Sequence, residues 1–391
     1  MRVAVVTSHP IQYQVPWLQR LAARDGVELR VYFAMLPDTV EQGREFGVAF
    51  AWDLPLLDGY EYTVLENCAK VPSMTAFNGC DTPQIYREIR RGRFDAVIVN
   101  GWVVKTCLQA LVACRLAGIP CIVRGEANGL RPRAFWKRWL HRLLLAQYSA
   151  FLTIGSNNRR YYLDSGVPAA RMFSTPYCVD NERFANAADD WRQQTGHVAL
   201  CERFGLSPDK PTFLFSGKFV EKKRPSDIVA AVRLLTSKGT ADFQVLMVGE
   251  GPLGDTLRAT SKDLPIRYSG FLNQSEITSA YAVADCLLLP SDHGETWGLV
   301  VNEAMACGLP ALVSDQAGCA VDLIVPGQTG DCFACGNVGE LAALLARYAK
   351  APDLLRQMGA EARRRVVPGY NFERVVSGVL DALDYVRRRV D

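Results

Sequence analysis

Two glutamates, Glu295 and Glu303, have seven residues between them in the stretch LLLPSDHGETWGLVVNEAMACGLP, residues 287–310. The run at 287–289 is apolar and gives way to a polar loop. Gly294 and Gly298 loosen that loop, residues 299–306 have helical composition, and Gly308 and Pro310 stop the helix. Glu295 then falls just before the helix and Glu303 about a turn and a half inside it, which puts the carboxylates roughly 8–12 Å apart. That span is too wide for one shared proton or one metal ion, and it suits a single ligand held at two places. Between them lie the first amides of the helix, Trp297, Gly298, Leu299 and Val300, and a helix N-terminus binds phosphate through such amides and its dipole. A diphosphate with a hydroxyl-rich ring at each end, the shape of a nucleotide-sugar, fits this layout.

Glu295, Glu303 and the surrounding GLVVNEAMACGLP resemble the paired-glutamate signature of the retaining glycosyltransferases of family 4. The resemblance implies an α/β protein of GT-B fold: two Rossmann-like, doubly wound domains facing a central cleft, with a final helix returning to the N-terminal domain. It implies sugar transfer from a nucleotide-diphosphate donor, UDP favoured and GDP open, to a hydroxyl acceptor such as a lipid-linked saccharide, a polysaccharide or a small metabolite. Glu295 would hold the transferred sugar and Glu303 the ribose. The loop SGKFVEKKRP, 216–225, crowds Lys218, Lys222, Lys223 and Arg224 before a helix, where cations can neutralise a diphosphate. Gly217, Lys218 and Lys223 match the family's glycine, basic residue and lysine; Lys218 stands where Arg is frequent, keeping the charge without bidentate geometry. With Glu295, Lys218 and Lys223 are the expected catalytic groups.

VGEGPLGD, 248–255, is a literal G-x-G-x-x-G through Gly249, Gly251 and Gly254. Dinucleotide binding would need an acid at the end of the next strand, and PIRYSGF offers none. The glycines therefore read as a tight turn, and by resemblance Gly249 lies near the nucleotide. Phe271 and Leu272 fall where the family places its nucleobase. On the acceptor side, SHPIQY (8–13) occupies the site of the family's glycine-rich loop but has no glycine. It carries His9 and Gln12. NGW supplies Asn100 and Trp102. RGEANG puts Arg124 and Glu126 where many members have a histidine.

The elements that must position these residues alternate. Strands read at 2–7, 28–33, 96–99, 121–123 and 151–153, with helices at 15–24, 83–91, 105–117, 135–147 and 157–164. After a polar break at 180–211, whose latter part reads as a linker, strands read at 212–216, 243–248, 266–270, 286–289 and 311–314, again with helices between. Fully apolar strands alternating with helices mean parallel sheets covered on both faces. The expected division is an acceptor-binding domain at 1–195, joined by the helix within 370–391, and a nucleotide-sugar-binding domain at 205–369. That last helix carries Val375, Val379, Leu380, Leu383 and Val386 on one face.

With 44 basic and 41 acidic residues the net charge is +3, too balanced for a nucleic-acid partner. The chain opens on a strand rather than a leader, and its 12 cysteines are scattered, as reduced thiols of a cytoplasmic protein would be. Cys332 and Cys335 form a lone Cys-x-x-Cys with no second pair for zinc. No Asp-x-Asp occurs, so no metal and no cofactor is expected, the leaving group being met by lysines and amides. No apolar run reaches the roughly 18 residues of a membrane span. From Arg131 to Tyr148 runs a basic helix with Trp136, Trp139, Leu140 and Leu143 on one face. It can lie on the inner face of an anionic membrane or pack its apolar face on the first sheet. The second reading is preferred because a strand follows immediately. Two other functions stay open: a GT-B-like sugar-nucleotide epimerase, and a non-catalytic nucleotide-sugar-binding or membrane-docked protein.

Overall fold

A computed structural model describes residues 1–44 and 47–389. The chain forms two compact units. Unit 1 comprises Met1–Pro37, Leu54–Tyr177 and Phe372–Asp391; unit 2 comprises Asp38–Asp53 and Cys178–Asn371.

Unit 1 is built on a seven-stranded sheet, all of it parallel: β1 Arg2–Thr7, β2 Glu28–Phe33, β3 Glu61–Val64, β4 Ala96–Val99, β5 Cys121–Val123, β6 Ala150–Thr153 and β7 Met172–Ser174, in the order β3-β2-β1-β4-β5-β6-β7. Unit 2 repeats the plan with β8 Thr212–Ser216, β9 Gln244–Val248, β10 Ile266–Gly270, β11 Cys286–Leu289, β12 Ala311–Ser314 and β13 Gly330–Phe333, in the order β10-β9-β8-β11-β12-β13. The central strands are apolar and buried along their whole length, as a sheet covered on both faces requires. In each sheet the strand order reverses once, between β1 and β4 and between β8 and β11. The crevice at the carboxyl ends of such a pair is where doubly wound sheets bind ligands.

Three strands were not expected: β3, β7 and β13. All lie at sheet edges, and β3 (EYTV) and β7 (MFS) have no buried residue, so the apolar run that marks an inner strand is missing. The expected linker is also corrected. Helices Asn181–Gln194 and His197–Phe204 fill 181–204, the first capped by Asp180, whose carboxylate accepts from Arg183 N at 3.2 Å.

The helix Phe372–Arg387 packs on β6, β7 and the helix Val15–Ala22 of unit 1. Val375, Val379, Leu383 and Val386 are buried, and Leu380 is half-buried. Glu373 pairs with Arg24 and, at 3.7 Å, with Arg20. Contact with β7 is backbone-close: a Cβ on Gly378 would lie 1.9 Å from Ser174 O.

The helix Phe135–Leu145 departs from expectation. Of its 11 residues only Leu145 is buried, while Phe135, Trp136, Trp139, Leu140 and Leu143 stand in solvent. Packing of this face on the sheet is therefore corrected. The space over the sheet is filled by Leu145, Tyr148, Tyr161 and Tyr162, and the helix meets it through its last turn and His141.

Gly378→Ala should destabilise the protein by about 1–3 kcal/mol, although Gly→Ala inside a helix ordinarily gains about 1 kcal/mol. Gly369, which has nothing within 4 Å of its would-be Cβ, provides the control. Urea unfolding of both variants checks this, and equal midpoints would mean that the helix does not approach β7 so closely.

Candidate active site

Unit 2 carries the expected donor-side residues on loops at the carboxyl ends of its strands. The loop after β8 carries Gly217, Lys218 and a 3-10 turn, Glu221–Lys223. The loop after β11 carries Glu295. The two meet directly: Lys223 Nζ is ion-paired with the Glu295 carboxylate, with only 13% and 14% of the two side chains exposed. Ser291 Oγ donates to the same carboxylate at 3.3 Å. Arg224 turns away through a left-handed backbone (φ +49°) and makes a two-point pair with Asp227 at 2.7 and 3.1 Å, which raises its pKa further. It is thus spent on the helix it precedes.

The G-x-G after β9 is a packing device. Gly249 has φ +133°, and a Cβ there would fall 2.0 Å from Gly217 O. The strand-end loops of β8, β9 and β10 then join through Gly217 N to Val248 O (3.0 Å) and Gly249 N to Gly270 O (2.9 Å).

The helix Leu299–Ala306 begins at Gly298, φ +107°, where a Cβ would meet Leu289 Cδ2 at 2.8 Å. Trp297 is buried and its Nε1 donates to Asn302 Oδ1 at 2.8 Å, so its side chain belongs to the core and only its backbone can serve a ligand. Leu299 and Val300 occupy the first turn, where amides lack an acceptor within the helix. Glu303 accepts a hydrogen bond from Tyr281 OH at 2.6 Å. Burial pushes its carboxyl up to about 7, partly offset by Tyr281, Arg183 and Lys223.

Three residues that sequence reasoning missed adjoin this set. Arg183 donates to Gln274 O at 3.1 Å and to Gln274 Oε1 at 2.6 Å, beside the expected nucleobase segment. Phe50 packs on Phe271 at a tilt, with ring centroids 4.4 Å apart, and Trp52 meets Phe50 edge-on at 4.8 Å. The segment 50–53 is also tied by Asn273 Nδ2, which donates to Ala51 O (2.8 Å), and by Ser275 N, which donates to Asp53 Oδ2 (2.9 Å). The aromatic run FAWD, 50–53, was the available signal, but nothing local places it beside residues more than 200 positions away. Phe271 and Leu272 are half-buried.

In unit 1 the expected acceptor-side loops follow β1, β4 and β5. His9 Nδ1 lies 2.9 Å from Ser8 Oγ, and burial lowers its pKa to about 4, so the ring is neutral at pH 7. Gln12 lies in the turn before Val15–Ala22. Asn100 Nδ2 donates to Gln14 Oε1 at 2.5 Å, joining the first two loops. Trp102 packs on Gly125, where a Cβ would sit 2.7 Å from its ring. Arg124 is 4% exposed, lies between the Tyr177 and Trp17 rings at 4.6 and 5.7 Å, and donates to Thr175 O at 3.4 Å. Its Nε and Nη1 are buried and make no hydrogen bond among the described residues. Glu126 accepts from Tyr177 OH. Among the described residues no group of three or more His, Cys, Asp or Glu could hold a metal.

Two doubly wound parallel units, one with a cation–carboxylate pair at its switch point, define a protein of GT-B fold. The chain belongs to the family 4 glycosyltransferases. The family model described as glycosyl transferase 4-like domain matches residues 11–178, and that described as glycosyl transferases group 1 matches 201–365. The chain is 31% identical over 180 residues to N-acetyl-alpha-D-glucosaminyl L-malate synthase of Bacillus anthracis, 46% of each chain. It is 30% identical over 197 residues to D-inositol 3-phosphate glycosyltransferase of Streptomyces bingchenggensis, 47% of this chain and 41% of that one. It thus spans about half the length of the curated relatives it matches. The solved structure of Anabaena HepE in complex with UDP superposes with a TM-score of 0.71 at 15% identity, covering 98% of this chain and 100% of that one.

Glu303 generates a pH signature. Its ordinary pKa is 4.5 and its folded value about 7. Between these values the folded chain keeps a proton that the unfolded chain releases. The group's contribution is full below about pH 4.5 and is lost as pH rises through 7. Relative to Glu303→Gln, the wild type should lose on the order of 2–3 kcal/mol of unfolding free energy from pH 4.5 to 8. Parallel pH–stability curves for the two proteins would show an ordinary, solvated carboxylate instead.

Proposed function

We propose that this protein is a retaining glycosyltransferase that moves a sugar from a nucleoside-diphosphate donor to a hydroxyl acceptor, with unit 2 holding the donor and unit 1 the acceptor. The observation that carries the reading is the Lys223–Glu295 pair at the β8/β11 switch point, followed within one helix by Glu303. As the bond between sugar and diphosphate breaks, negative charge grows on the leaving group. Lys218, Lys223 and the amides of Leu299 and Val300 are preorganised to stabilise that charge, the term that dominates such sites. Glu295 serves the hydroxyls of the transferred sugar and Glu303 those of the ribose, with Gly217, Gly249, Phe271 and Leu272 around the nucleotide. No metal or cofactor takes part in this reading, because lysine cations and amides supply the charge compensation.

A UDP-sugar is the favoured donor, a choice supported by the UDP in HepE, with a GDP-sugar as the alternative. His9, Gln12, Asn100, Trp102 and Glu126 line the acceptor side in this reading, while Arg124 shapes it from behind. No helix among the described residues is long and apolar enough to cross a membrane. The twelve unbridged cysteines and a nucleotide-sugar donor together favour a cytoplasmic setting, with peripheral membrane contact through the helix Phe135–Leu145.

Thermal-shift measurements with UDP, GDP, ADP and their sugar conjugates test the donor assignment. A ligand at 100 times its dissociation constant adds about 2.7 kcal/mol of stability. One nucleotide series should shift the transition, with or without EDTA; silence from every nucleotide would sink the donor site. Lys223→Ala should then lower kcat by roughly 10²-fold, about 3 kcal/mol in the barrier. Transfer at near the wild-type rate would remove Lys223 from the mechanism.

A further inference from the structure

We propose that the exposed face of the helix Phe135–Leu145 docks on an anionic phospholipid bilayer and brings the acceptor side of unit 1 to its surface. The helix carries Trp136 (50% exposed), Trp139 (60%), Leu140 (48%) and Leu143 (47%) on one stripe, with Phe135 (83%) at its start. Single exposed apolar residues are ordinary, but a contiguous stripe of this kind marks an interaction surface. The flanking side chains choose the partner. Arg131, Lys137, Arg138 and Arg142 are exposed, and the sequence holds no Asp or Glu between Glu126 and Asp164. Among the described residues none of these four cations forms an ion pair with a carboxylate. Tryptophans that can sink to headgroup depth, edged by cations, match the surface of an anionic leaflet. A second copy of the chain would bring cation against cation. A nucleic acid would leave five large apolar side chains uncovered.

Within unit 1 the helix is wired to the acceptor-side loops. His141 Nδ1 lies 2.6 Å from Tyr161 OH, and the His141 ring meets Trp102 edge-on at 5.9 Å. Arg133, just upstream, donates to Asn128 O at 2.6 Å in the loop that holds Glu126. Docking therefore sets Trp102 and that loop beside the bilayer, and the acceptor class it implies is an amphiphile whose hydroxyl-bearing head projects from the leaflet. That consequence rests on the transferase reading; the docking itself does not.

The test is co-sedimentation of the full chain with vesicles of phosphatidylcholine alone and of phosphatidylcholine with phosphatidylglycerol, beside a UDP thermal shift on the same preparations. The expected result is binding to the anionic vesicles only, weakened by salt and reduced at least tenfold in Trp136→Ala/Trp139→Ala and in Lys137→Glu/Arg138→Glu, with the UDP shift unchanged in both variants. Absence of vesicle binding with the UDP shift intact overturns docking and leaves the transferase reading standing. Equal binding to both vesicle types, or retention in the double-tryptophan variant, also overturns it. So does concentration-dependent dimerisation that the tryptophan variant abolishes, which would assign the face to a second copy. Vesicle binding without any nucleotide shift would support docking and remove the donor assignment instead.

Discussion

Lys223 and Glu295 come from loops that follow neighbouring strands, β8 and β11, and each keeps only about an eighth of its side chain in water. A pair so poorly solvated is costly to break from one side, because the remaining charge has little water to turn to. The two loops are therefore bound to one another, and with them everything they carry: the amide-bearing start of the helix Leu299–Ala306, and Gly217 with Lys218. On the proposed reading the pair also keeps the lysine desolvated and aimed before any donor arrives. An incoming diphosphate competes with Glu295 for the lysine, and a carboxylate released from its cation is then an acceptor for sugar hydroxyls.

Such a pair is useful only if the backbone brings the loops together, and unit 2 achieves this by omitting side chains where loops touch. Gly249 lets the turn after β9 rest on Gly217. Gly298 lets the chain enter its helix against Leu289 and Cys319. A glycine pattern that matches a dinucleotide fingerprint thus arises from packing between strand ends, and the physical need is the same in both cases: main chain close to something that leaves no room for Cβ.

Much of this was legible in the sequence, and the division follows range. The inner strands could be read because burial on both faces leaves an unbroken apolar run, whereas the edge strands β3 and β7 bury nothing and left no such mark. Lys223 and Glu295 could be singled out because each lies in a short segment that follows a strand, and the structure brings them into one ion pair; Lys218 and Glu303 lie in the same two segments, and the chemistry of all four belongs to the proposed reading. Phe50 and Trp52 could not: Phe271, on which Phe50 packs, is distant in the chain, and only folding places the segment 50–53 in unit 2. Trp297 was named for its backbone amide, and a ring turned to Asn302 leaves that amide at the helix start. Arg124 could be placed after its strand from the sequence, but not between the two aromatic rings that flank it.

The helix Phe135–Leu145 shows why an amphipathic pattern underdetermines structure. Periodicity states that a helix has an apolar face; it does not state what covers it. The strand that follows made the sheet the natural cover. That place is taken by Tyr148, Tyr161 and Tyr162, large side chains whose own signal is weak because each is read singly. With the sheet already covered, the helix is held by its final turn and by His141, and its tryptophans are left outward. A protein that displays such a stripe without a partner exposes itself to aggregation. On the proposed docking, the cations around the stripe counter this by mutual repulsion between copies, and the same charges draw the surface toward an anionic leaflet, so that one set of side chains serves both states.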